Sequence, residues 1–133
     1  MAKAPARPRK KQKPKAAVKS ASPIQALSKY AASFPEAYED HPWGETVYKV
    51  KGKVFVFLGK GDGFGMSAKL PQSAMLALDL PFATPTAYGL GKSGWVTAQF
   101  GPKEKPPLEI LRRWIEESYR AVAPKKLVAT LGS

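Results

Sequence analysis

The chain contains no cysteine, which excludes disulfides, thiolate metal sites and a cysteine nucleophile. That suits a reducing compartment, and the expected location is cytoplasmic. Histidine occurs once, at His41, so no site can call on two imidazoles. No apolar run approaches the ~20 residues of a membrane-spanning helix. A secretory leader needs an apolar stretch near the start, and residues 1–22 have none. Pro5, Pro8 and Pro14 interrupt the amphipathic helix that a mitochondrial transit peptide would form. No membrane partner is therefore expected. Acidic side chains are also scarce: 10 Asp and Glu against 22 Lys and Arg leave a net charge of +12.

The basic surplus is unevenly spread. The first twenty residues hold Lys3, Arg7, Arg9, Lys10, Lys11, Lys13, Lys15 and Lys19 and no acid at all. Such a block repels itself and has little apolar surface to bury, so residues 1–21 are expected to form a disordered arm. Residues 22–133 read as one domain, long enough to bury a core without staples.

The punctuation of the domain is clear. Ser22 and Pro23 have the residue types of a helix cap and first turn, followed by Ile24, Leu27, Ala31 and Phe34 at helical spacing. Residues 36–44 read as a connection. From Glu45 the period falls to two: Val47, Lys49 and Lys51 alternate with Tyr48 and Val50. Gly52 turns the chain into the apolar run 54–58, and Met66, Ala68 and Leu70 mark another strand. Pro71 opens a short helix with Ala74, Met75 and Leu78 on one side. Residues 81–85 read as a connection, and 86–90 with 95–100 as a hairpin around Gly91 to Gly94. The final helix starts at Pro107, with an apolar stripe of Leu108, Leu111, Trp114, Ile115, Tyr119 and Val122. Its other face pairs Glu109 with Arg113 and Glu116 with Arg120. Strands in runs, with helices at the ends, give an α+β class: an antiparallel sheet with helices packed on one face.

Several motifs imitate chemistry. Gly89 to Gly94 matches G-x-G-x-x-G, but a dinucleotide fingerprint must open a helix, and here the strand from Trp95 follows. The end of a phosphate loop is imitated by Gly91-Lys92-Ser93, yet its first glycine would fall at Thr86. Glu36, Glu39, Asp40 and His41 cluster in sequence without a pattern that fixes them on one face, so a charged surface turn is the simpler reading. No nucleophile–base–acid arrangement emerges, and neither an enzymatic reaction nor a cofactor is expected.

Strand alternation sends Met66, Ala68, Leu70, Val96, Ala98, Phe100, Tyr48 and Val50 toward the helices. Lys49, Lys51, Ser67, Lys69, Trp95, Thr97 and Gln99 go to the other face. The run 54–58 is apolar on both sides and has no assignable face. Lys49, Lys69, Lys92 and Trp95 have the ingredients of a nucleic-acid surface: charges for phosphates and a ring for a base. An ordinary solvated sheet face reads the same residues equally well, since exposed lysines also discourage edge pairing.

These residues also carry a resemblance. The run from Phe34 through Pro35, Glu36, Ala37, Tyr38, Glu39, Asp40, His41 and Pro42 to Trp43 and Gly44 resembles the opening of the MmcQ/YjbR family. So do 47–55, Met66 to Leu70, Tyr88-Gly89 through Trp95-Val96, Glu117-Ser118-Tyr119 and Lys125-Lys126-Leu127. The resemblance covers about residues 24–131 and leaves the arm outside. It implies a CyaY-like α+β fold and DNA binding through a double-wing arrangement of sheet and loops, with no established reaction or cofactor. It favours Lys49, Lys69, Lys92 and Trp95 as contacts. The arrangement also resembles frataxin, which binds iron through acids on its first helix and strand. Here the first helix has Lys29 and no acid, so no iron role is expected.

The expected function is binding of nucleic acid, duplex DNA before RNA, with little sequence preference. The arm, through Arg7, Arg9, Lys10, Lys11, Lys13 and Lys15, would supply affinity by counterion release, and the sheet face would orient the domain. Such a protein would associate with the nucleoid. The alternative is a protein-interaction module that docks a partner on the same face, with no nucleic-acid role for the domain.

Overall fold

The computed structural model describes residues 23–42, 45–59, 64–87, 89–101 and 103–131. The basic arm and the expected cap at Ser22 lie outside them. Helix α1 spans Pro23–Ala32 and buries Leu27 and Ala31. Strands β1 (Tyr38–Asp40), β2 (Thr46–Val50), β3 (Lys53–Gly59) and β4 (Phe64–Lys69) follow. After them come α2 (Ala74–Ala77), β5 (Ala83–Pro85), a 3-10 turn at Leu90–Ser93 and β6 (Trp95–Phe100). Helices α3 (Leu108–Val122) and α4 (Lys125–Ala129) end the chain.

The six strands form one antiparallel sheet in the order β1-β2-β3-β4-β6-β5. Helix α3 crosses β3 and β4, and α1 packs against α3, so these helices share one face. Every strand residue assigned to that face by alternation lies in the core cluster. The β2–β3 hairpin closes on Lys51 and Gly52, whose φ values of 51° and 80° give the two left-handed positions of a tight turn.

A bulge resolves the run that alternation could not assign. Tyr48 pairs with Val56 but Lys49 pairs with Val54, so Phe55 is the extra residue. Phe55 and Val56 therefore both enter the core, Leu58 follows, and Phe57 turns to the opposite face. Three consecutive residues of α3 fasten this arrangement. Ser118, fully buried, donates from Oγ to the Phe55 carbonyl at 2.6 Å and accepts the Lys69 amide at 2.9 Å. The Glu117 carboxylate accepts the amides of Gln72 and Ser73 at 2.9 and 3.0 Å, which holds the turn before α2. Tyr119 donates its hydroxyl to the Pro35 carbonyl at 2.7 Å, and its ring stacks on Phe34 and meets Phe55 edge-on. Burial pushes the Tyr119 phenol above its usual range, which keeps it a donor.

Four sequence expectations need correction. The connection at 36–44 contains the edge strand β1, paired to β2 through Tyr38, Glu39 and Asp40. The strand before β6 is Ala83–Pro85 rather than 86–90, because Ala83, Thr84 and Pro85 take the pairing positions opposite Ala98, Thr97 and Val96. Residues 89–94 fold instead into the 3-10 turn. Gly89 and Gly94 supply its positive φ, and a Cβ on Gly91 would lie 2.9 Å from the Pro85 side chain. In α2 the single turn buries Ala77 and packs Ala74 against the core but leaves Met75, Leu76 and Leu78 exposed, so of the expected apolar side Ala74 turns inward and Met75 and Leu78 do not. On α3, Arg120 pairs with Glu116 at 2.9 Å as the spacing implies. No Glu109–Arg113 ion pair forms among the described residues.

Candidate nucleic-acid interface

The sheet face away from α3 carries the residues singled out for binding, in altered condition. Lys49 lies there on β2, flanked across the ladder by Tyr38 of β1. Its Nζ reaches Asp40 at 2.8 Å. That hydrogen bond holds the ammonium above the usual lysine range and the Asp40 carboxyl below the usual carboxylate range. Lys49 is thus neutralised locally. The same holds for Lys51, whose Nζ meets Glu36 at 2.7 Å. Lys69 is half-buried on β4 and Lys92 is exposed on the 3-10 turn. Among the described residues neither makes an ion pair.

Trp95 is on the expected face but is not available to stack on a base. It is only 8 % exposed, and its ring meets Phe57 edge-on with centroids 5.4 Å apart. Both rings, and the fully buried Val47 that pairs with Phe57, lie outside the main core cluster. A second, smaller apolar cluster therefore covers part of this face. The bulge creates it by sending Phe57 across the sheet, an event that alternation alone cannot foresee. The arm residues Arg7, Arg9, Lys10, Lys11, Lys13 and Lys15 lie outside the described residues.

The acids near His41 are each engaged separately. Glu39 meets His41 Nε2 at 2.7 Å and accepts the Tyr48 hydroxyl at 3.1 Å, while Asp40 and Glu36 hold lysines. Three carboxylates thus serve three different partners.

A concavity of about 810 Å3 opens on this same face. Its lining includes Phe57, Ser67, Thr97, Gln99, Thr86 and Leu90, with His41 and Glu45 among the exposed residues. Three of its hydroxyls form a chain: Ser67 Oγ lies 2.7 Å from Thr97 Oγ1, which lies 2.9 Å from Thr86 Oγ1. Gly59 and Gly65, paired across β3 and β4, bring no side chain into it. Sequence alternation had Ser67, Thr97 and Gln99 on this face. It could not foresee that Thr86, Ala87 and Leu90 make part of the wall.

Comparison with solved structures agrees with the layer order. A crystal structure of the Deinococcus radiodurans protein DR2400, with a DUF419 domain, superposes with a TM-score of 0.65 at 23 % identity, covering 84 % of this chain and 91 % of that one. A Pseudomonas syringae protein, a structural-genomics target, gives a TM-score of 0.56 at 20 % identity, covering 74 % and 97 %. At such identities the likeness is one of fold. No curated protein matches the chain. The YjbR family model matches residues 32–121, a span that runs from the Phe34–Pro35 contact through the bulge to Glu117, Ser118 and Tyr119, and the chain belongs to the YjbR family.

Proposed function

We propose that this protein binds duplex DNA mainly through the phosphate backbone, with little sequence preference and no chemical step. The observation that carries the reading is the distribution of charge. The net charge is +12, and the eight basic residues of the first twenty are opposed by no acid. Each phosphate neutralised releases condensed counterions, so such a segment gives affinity without reading bases. Of the four folded-part residues singled out from the sequence, Lys69 and Lys92 are without an ion pair among the described residues, whereas Lys49 is paired with Asp40 and Trp95 packs against Phe57. Two unpaired lysines, with Tyr38 as the exposed ring of the face, position the duplex without a set of base-reading side chains.

The test is duplex binding by fluorescence anisotropy over a salt series, with the full chain and with a chain beginning at Ala21. Six phosphate contacts from the arm give a slope of log K against log salt of roughly −5, and the shorter chain should be much flatter. In the shorter chain, Lys69→Gln with Lys92→Gln should reduce the remaining slope by about one unit per lost contact. No binding at low salt would sink the reading and leave the sheet face to a protein partner.

A further inference from the structure

The concavity on the open face has a chemistry of its own. Three hydroxyls in a chain possess three hydrogens, and two mutual hydrogen bonds consume two of them. Whichever way the chain runs, one hydrogen remains to donate and several lone pairs remain to accept. Ser67, Thr97 and Thr86 therefore offer a donor and acceptors side by side without a formal charge. Gln99 adds an amide with both capacities. Phe57 supplies an aromatic surface and Leu90 an aliphatic one. The ionisable lining residues, His41 and Glu45, are both exposed, and His41 Nε2 is taken by Glu39. Among the described residues no lysine or arginine belongs to the lining, so the described walls hold no counter-charge for an anionic group. About 810 Å3 lies within the roughly 300–1,000 Å3 typical of small-molecule sites.

We propose that this concavity is a binding site for a nucleobase: an uncharged planar heteroaromatic ring whose edge mixes hydrogen-bond donors and acceptors. The aromatic surface of Phe57 suits the flat face of such a ring, and the hydroxyl chain suits its edge. The base has two sources, a free nucleoside or an unstacked base of a nucleic-acid strand. The strand-borne source rests on the nucleic-acid reading above, and the free source does not. Gly59 and Gly65 line one end of the site without a side chain. The backbone there does not itself demand glycine, because a Cβ on Gly65 would meet nothing nearer than 3.8 Å and its φ is not left-handed.

The experiment follows backbone amide resonances of the isotope-labelled full chain. It is titrated with adenosine, guanosine, cytidine and thymidine, with a short mixed-sequence single strand, and with the matching duplex. Binding of a nucleoside or of the single strand should displace Gly65, Ser67 and Thr97. Gly65→Leu, which puts a side chain into that end, should abolish those displacements. Thr97→Val, which keeps the shape and removes the central hydroxyl, should weaken binding about three- to tenfold, the worth of one hydrogen bond. Should the leucine variant fail to fold, the valine variant decides. Displacement by the single strand alone assigns a strand-borne base, and displacement by nucleosides assigns a free ligand. The proposal is overturned if neither displaces these amides, or if both variants bind as the parent does. Duplex binding that persists in that case leaves the phosphate-backbone reading standing; base binding without duplex binding removes that reading and keeps this one.

Discussion

Replacing Ser118 by alanine tests whether α3 holds the bulge of β3 in place. The hydroxyl is fully buried, donates to the Phe55 carbonyl and accepts the Lys69 amide. The bulge makes Phe55 the unmatched residue of its strand, so its carbonyl depends on this donor. Ser118→Ala leaves a buried acceptor and a part-buried donor without partners, each costing ~1–3 kcal/mol. The two groups share one partner and relax together, so the total should fall near ~2–4 kcal/mol rather than at the sum. For a domain of this size that corresponds to a thermal midpoint lower by roughly 8–15 °C. Urea unfolding gives the free energy, and hydrogen exchange at the Lys69 amide gives the local readout, which should accelerate well beyond the global change. A loss under ~0.5 kcal/mol with unchanged Lys69 exchange would refute the reasoning, because the bulge would then be satisfied without Ser118. The consequence reaches the open face, since the same bulge sends Phe57 into the lining of the concavity.

Trp114 is 5 % exposed on the apolar stripe of α3, so Trp114→Ala should cost about 3–5 kcal/mol in urea unfolding, and under ~1 kcal/mol would place the ring outside the core. Trp95→Ala should destabilise by roughly 2–4 kcal/mol because the ring is packed on Phe57; a folded, equally stable variant with weakened DNA binding would instead make it a contact residue. Burial raises the phenol pKa of Tyr30, Tyr48 and Tyr119 above the ordinary 10.0, so their folded-state values exceed the unfolded ones. Stability should hold below pH 10.0 and fall as pH rises through the raised values, and urea midpoints that do not fall there would contradict this. Asp40 has the opposite sign. Its lowered carboxyl favours folding at pH above the ordinary carboxylate range and loses that effect on acidification, so Lys49→Met should reduce the acid dependence of the urea midpoint.

Much of the architecture is written in periodicity, because burial on one face forces a repeat into the chain. The stripe from Leu111 to Tyr119 and the alternation through Met66, Ala68, Val96 and Ala98 specify α3, β4, β6 and the face each turns inward. The charge imbalance is equally a property of composition and needs no fold to be read. Short elements were less legible. β1 and β5 have three residues each, too few to show a period, and they exist because neighbouring strands supply their hydrogen bonds.

The candidate sites divide along the same line. Sequence alone determined that Lys49, Ser67, Lys69, Trp95, Thr97 and Gln99 share the open face, since alternation is a local property of extended backbone. Only the tertiary structure decided which of them remain available. Lys49 is neutralised by an acid on an edge strand that the sequence did not announce. Trp95 is covered because one extra residue in β3 reverses Phe57. The hydroxyls of Ser67, Thr97 and Thr86 meet because residues distant in the chain are brought within hydrogen-bonding reach by strand pairing and a returning loop. These are long-range contacts, set by the packing of the whole sheet, and no window of local sequence contains them.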